Sequence, residues 1–142
     1  MPPILIGGGL AGAAAAIDLA RAGRAPLLLE REAAPHDKIC GEFLSGEAVA
    51  ALAALGCDAR RLGAVPITRV ELWSGFRHVA ARLPFAALSL SRRVLDAALL
   101  EQAAAVGVDV KRGVAVRALA GDGVQTSAGA VRGGPILLAS GK

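Results

Sequence analysis

Three glycines, Gly7, Gly9 and Gly12, and one carboxylate, Glu30, are the residues whose types and spacing point most directly to chemistry. In a Gly-x-Gly-x-x-Gly turn the first glycine permits a sharp exit from a strand. The second lets a phosphate approach the backbone with no Cβ in the way, and the third lets the following helix lie close to the sheet. A helix opening near Leu10 aims unpaired N–H groups and the positive end of its dipole at that turn, which is where a diphosphate would sit. Glu30 stands eighteen residues after Gly12, at the end of the apolar run Leu27-Leu28-Leu29. A carboxylate there accepts hydrogen bonds from ribose hydroxyls and argues against a 2′-phosphate.

Other reactive side chains carry weaker signals. Cys40 and Cys57 lie seventeen residues apart with no Cys-x-x-Cys and no His-rich partner pattern, so neither a zinc site nor a disulfide framework is indicated, and no metal site is expected. His36 and His78 have no Ser, Cys or Asp constellation at triad spacing, and no catalytic acid or base can be named. Arg92 is a cation at the opening of a helix, which the dipole disfavours unless an anion lies nearby. Trp73 reads as a hairpin core residue and Asp18 as a solvated helical carboxylate.

These residues need elements to hold them. Ile4 and Ile6 precede the glycine turn, an Ala-rich helix runs from Leu10 to its stop at Gly23-Arg24, and a second strand ends at Glu30. From Arg31 to Leu44 the periodicity lapses, and long connections of this kind are usually functional. Ser45 caps a short helix over 45–55 that Gly56 stops. Strands over 67–73 and 79–83 bracket Ser74-Gly75 as a hairpin. Ser91 caps a helix with an apolar stripe of Val94, Leu95, Ala98, Leu99 and Ala103, stopped by Gly107. A short strand at 108–110, a three-stranded meander over 114–119, 124–126 and 130–132, and a buried strand at 136–139 complete the chain.

With 142 residues, 54% of them hydrophobic, the chain has the length for one sizeable core, but only 3% are aromatic, so Ala, Leu and Val must build it. The net charge is +4, yet the cations are scattered apart from Arg60-Arg61 and Arg92-Arg93. No basic stripe is interleaved with aromatics, so nucleic acid is not an expected partner. The apolar N-terminus lacks a basic leader region and is broken by glycines, so neither a signal peptide nor a membrane span is expected, and a reducing cytoplasm fits the cysteines.

In this order the chain resembles the N-terminal part of the FAD-dependent oxidoreductases that include the aromatic-ring hydroxylases and, more closely, the geranylgeranyl reductase-like flavoproteins. Four places carry the likeness: the Gly7 to Gly12 turn with Glu30-Arg31, the loop Lys38-Ile39-Cys40-Gly41-Glu42, the helix start Ser91-Arg92 with Leu95-Asp96, and the strand end Leu138-Ala139-Ser140-Gly141. The resemblance implies FAD as cofactor, NAD(P)H as a reductant, and an apolar small molecule as substrate. By position it implies FAD contacts at Gly7, Gly9, Ala11, Gly12, Glu30, Arg31, Cys40, Gly41, Arg92 and Val116. The Glu would hold the AMP ribose, the loop would pass the flavin side, the Arg would reach the phosphate and ribityl region, and Val116 would touch adenine. An NAD-dependent dehydrogenase remains open on the first unit alone; the 38–42 loop and Arg92 speak against it.

The expected fold is α/β, a Rossmann-like FAD-binding βαβ domain over residues 1–142. Its parallel sheet runs in the order third, second, first, fourth strand, with a meander on one face and a hairpin excursion at 64–90 that begins a β-rich substrate domain. The family's later Gly-Asp motif and most of its substrate-binding sheet have no counterpart before Lys142, so the domain is expected to be incomplete. That leaves a truncated, non-catalytic nucleotide-binding fragment as an alternative. Uncovered strand edges and apolar faces imply self-association or a C-terminal partner chain.

Overall fold

The computed structural model describes residues 1–141; Lys142 lies outside the described residues. Its centre is a four-stranded parallel sheet in the order β10-β1-β2-β6, formed by Ile136–Leu138, Ile4–Ile6, Leu27–Glu30 and Asp109–Arg112. β1 pairs with β2 in the register Ile4 to Leu27 and with β10 in the register Ile4 to Ile136, while β2 pairs with β6 from Leu27 to Asp109. The expected order is therefore the observed one. β1 and β2 are short unbroken apolar runs, as parallel strands covered on both faces are.

Strand alternation sorts the two covers. Leu5 and Leu28 point to one face, where α1 (Leu10–Arg21) and α3 (Arg92–Ala105) lay Ala13, Ala16, Ile17, Leu95, Leu99 and Ala103 against them. Ile4 and Leu29 point to the other, where they meet Val124 together with the half-buried Val116 and Val131 of the meander. That meander is the antiparallel sheet of β7 (Val116–Ala120), β8 (Gly123–Thr126) and β9 (Gly129–Arg132). The small alanines of α1 let the helix sit close to the sheet, and the leucines of α3 fill the remaining depth.

The third sheet departs from expectation in extent. β4 (Val65–Ser74) and β5 (Arg77–Ser89) are longer than the strands read from the sequence, and Phe43–Leu44 forms an extra short strand, β3, against the far end of β5. The periodicity hid this because the ladder shifts between Ile67 and Arg69, and the part of β5 opposite that shift contains Pro84, which has no N–H to give to a ladder. Beyond it, Ala87 and Leu88 are buried and pull β5 back onto the core. The 45–55 helix is observed as α2 (Gly46–Ala54), capped by Ser45, whose Oγ accepts from the Ala48 N–H at 3.2 Å.

Candidate dinucleotide site

The site is built where β1 ends and α1 begins. Gly7 has φ +104°, a conformation costly for any side chain, and a Cβ there would also collide with the Ala139 carbonyl of the neighbouring strand. Gly12 is buried one turn into α1, and a Cβ on it would strike the Gly7 carbonyl, so its absence sets how close the helix comes to the turn. Gly9 differs from both. Its missing Cβ would meet no backbone, and the nearest atoms are the Arg92 Nη2 and Lys38 Nζ, each 3.8 Å away. The glycine leaves a hole bounded by two cations.

Helix capping supports the same point. Serines cap α2 and α3, with the Ser91 Oγ accepting from the Val94 N–H at 3.3 Å, whereas α1 begins at Gly9 with no side-chain cap. The first-turn N–H groups of α1 thus stay available to an outside acceptor, at the positive end of the helix dipole.

A cleft of about 620 Å³ opens at this place, lined by the Gly7 and Gly9 turn, Ala11, the ends of β1 and β2, Lys38, Ile39, Arg92, the Val114–Val116 segment and Ala139–Gly141. Glu30 closes one end and is firmly set: its Oε2 accepts from the Gly8 N–H at 2.6 Å and its Oε1 from the Glu32 N–H at 2.8 Å. Each oxygen keeps a lone pair for a hydroxyl of a ribose. The Val114 N–H donates to the Glu30 carbonyl at 3.0 Å, which brings the start of β7 beside the carboxylate and makes an apolar wall there. Beside Gly9, Arg92 donates from Nε to the Asp96 Oδ1 at 2.8 Å and from Nη2 to Oδ2 at 3.1 Å, while Lys38 Nζ donates to Oδ2 at 2.6 Å. The Asp96 hydrogen bonds hold the Arg92 pKa above its ordinary value despite partial burial, with Cys40 adding in the same sense, so the guanidinium stays charged.

Of the residues singled out in the sequence, Gly7, Gly9, Ala11, Glu30, Arg31, Arg92 and Val116 line this one cleft. Gly12 lies beneath the turn, where it sets the packing. Cys40 and Gly41 are on the exposed part of the loop rather than at the cleft wall, with the Cys40 Sγ accepting from the Glu42 N–H at 3.4 Å. Sequence reasoning passed over Lys38 and the Ala139–Gly141 strand end as contacts, although both stand in motifs it had marked. A basic residue in an unpatterned loop beyond the second strand was the available signal. Among the described residues no cluster of potential metal ligands occurs, and no helix is long and apolar enough to cross a membrane.

The dimensions and donors fit a dinucleotide: a carboxylate for a ribose, an uncapped helix start with two cations for a diphosphate, and a Cβ-free gap between them. A family model described as FAD binding domain matches residues 2–135. The flavin-dependent brominase Bmp2 superposes with a TM-score of 0.82 at 25% identity, covering 99% of this chain and 38% of that one. The myxobacterial chondrochloren halogenase CndH, described as a variant of FAD-dependent halogenases, gives 0.82 at 27% identity, over 99% and 37% of the two chains. A mutant of 2-methyl-3-hydroxypyridine-5-carboxylic acid oxygenase gives 0.79 at 25% identity, over 95% and 38%. No curated protein sequence gives a match. The chain thus spans under two fifths of the length of these solved relatives. They are halogenases and an oxygenase, and they lend no specific support to a geranylgeranyl reductase or to an NAD-dependent dehydrogenase.

Proposed function

Since the chain belongs to the FAD-binding-domain family, we propose that it serves as the nucleotide-holding portion of a flavin-dependent oxidoreductase of the monooxygenase or halogenase type that acts on an apolar small molecule. FAD is the cofactor, and NAD(P)H is the reductant that this reading assigns. The observation that carries the assignment is the hole at Gly9, bounded by the uncapped start of α1, Lys38 and Arg92, with Glu30 lining the same cleft.

In this reading each residue has a binding or orienting task. The α1 N–H groups, Lys38 and Arg92 neutralise the diphosphate; Glu30 accepts the ribose hydroxyls; Val114 and Val116 cover the adenine face. When bound, the flavin supplies the redox chemistry, and the protein contributes its placement. The loop 31–42 brings Arg31, Lys38 and Ile39 to the cleft wall, and in this reading it borders the flavin end of the cofactor.

The substrate-side elements follow the same proposal. The β4–β5 hairpin exposes Leu72 and Val79 on one face and Trp73 on the other, and the apolar Leu72–Val79 face suits a second copy of the chain or a C-terminal partner chain as its cover. The two free thiols suit a reducing cytoplasm. The experiment is the absorption spectrum of the purified chain after incubation with FAD and gel filtration. A retained flavin band is expected; a colourless protein that instead binds NAD in calorimetry would overturn the assignment.

A further inference from the structure

Asp96 is the only buried charged residue among the described residues, with 8% of its surface exposed. It does not line the main cleft. It lines a small cavity that shares Lys38 and Glu30 with that cleft and is also lined by His36, Glu32 and Arg112. One carboxylate there holds two cations, accepting twice from Arg92 and, on the Oδ2 that it shares, once from Lys38. A buried carboxylate keeps its charge when paired and hydrogen-bonded, and a trio of two cations and one anion keeps a net positive charge. That charge faces Gly9, because both cationic nitrogens stand 3.8 Å from the position its Cβ would take.

Lys38 comes from a stretch with no regular structure, on a long flexible stem; the loop is also tied near α3 by Cys40 beside Arg92, by the Leu90 N–H donating to the Glu42 carbonyl at 3.0 Å and by the exposed Arg93–Asp37 pair at 3.6 Å, none of which touches the Lys38 ammonium. Exposed pairs of that kind contribute little. Among the described residues Asp96 is the acceptor that the Lys38 ammonium finds, so Asp96 decides where Lys38 points. We propose that Asp96 is a positioning residue for the cofactor's diphosphate, gathering Lys38 and Arg92 into one hydrogen-bonded cluster so that Lys38 acts as a second phosphate-binding cation and the 31–42 loop is pinned to α3. The gain is preorganisation: the lysine's rotamer freedom and the mutual repulsion of the two cations are settled before the ligand arrives. The inference rests on the FAD-binding reading of the cleft.

The test titrates the full chain with FAD, followed by flavin fluorescence, and measures limited trypsin cleavage after Lys38 without ligand. Lys38→Met should weaken FAD binding about tenfold or more, as loss of a charge-assisted phosphate contact does, while Lys38→Arg retains most of the affinity. Asp96→Asn should also weaken binding about tenfold and should speed cleavage at the Lys38–Ile39 bond. In the Lys38→Met background the same Asp96→Asn change should matter less, a coupling that a merely structural role would not produce. Full affinity in Lys38→Met, or independent effects of the two substitutions, would overturn the inference while leaving FAD binding intact. A wild-type chain that takes up no FAD would overturn the cleft reading and this inference with it. If Asp96→Asn fails to fold, the contrast between Lys38→Met and Lys38→Arg decides.

Discussion

The parallel sheet and the β4–β5 hairpin use similar apolar residues to opposite effect. Ile4, Leu5 and Leu28 are fully buried, whereas Leu72, Trp73 and Val79 are each about two-thirds exposed. The difference lies in what covers each face. The parallel sheet has α1 and α3 on one side and the meander on the other, so alternate residues on its strands each find a partner layer. On the hairpin, Val70 pairs with Ala81 and Leu72 with Val79 on one face, while Arg69 with Arg82 and Trp73 with His78 occupy the other. Trp73 is stacked on His78 with ring centroids 4.4 Å apart, so it lies against its cross-strand neighbour and not in the core expected from the sequence. The nucleotide cleft is thus built on a sheet with its own core, while the hairpin presents an apolar face that none of the described residues covers.

The comparison can be broken hardest at the glycine turn. Gly9→Val should cut FAD affinity more than a hundredfold with little change in melting temperature, because its branches enter the diphosphate space and meet no backbone. Calorimetric titration of the folded variant checks this, and unchanged affinity would mean the turn is only structural. Gly12→Val should do the reverse first, destabilising the fold by about 3 kcal/mol or more, since its Cβ strikes the Gly7 carbonyl; the urea midpoint reports it.

Two smaller effects sharpen the contrast. Burial pushes the Cys57 thiol pKa up, with Arg21 opposing in part, so at pH 8 it holds less thiolate than an ordinary cysteine. A thiol reagent should label the exposed Cys40 promptly and Cys57 only on unfolding or at pH well above 9, and equal labelling at pH 8 would show that the core beside α3 is open. Finally, Leu72→Lys with Val79→Lys should leave stability within about 0.5 kcal/mol and FAD affinity unchanged while lowering the scattering mass of concentrated samples. Cooperative loss of the parallel sheet in that variant would mean the hairpin belongs to the same core.

Much of this was legible in the sequence where local chemistry and global packing agree. The glycine turn, the two serine caps and the strand order follow from residue types at fixed spacing. Glu30 at the cleft follows in the same way, from its place at the end of the second strand, whereas Arg92 and Val116 are placed there by the family resemblance. The extent of the hairpin was not legible, because the bulge after Ile67 and Pro84 interrupt the two-residue period. β3 was hidden for another reason: two residues, Phe43 and Leu44, carry no period at all, and their pairing to Ser89 and Leu88 is a long-range event. Lys38 escaped as a contact because its position depends on Asp96, fifty-eight residues away in sequence.

The most direct measurement is a crystal structure of the chain with FAD. The account predicts the diphosphate at Gly9 within hydrogen-bond distance of the first N–H groups of α1, Lys38 and Arg92, the AMP ribose on Glu30, and adenine against Val114–Val116. A cofactor bound in the reverse sense, with its flavin at Val116, or a diphosphate remote from Gly9 would contradict it.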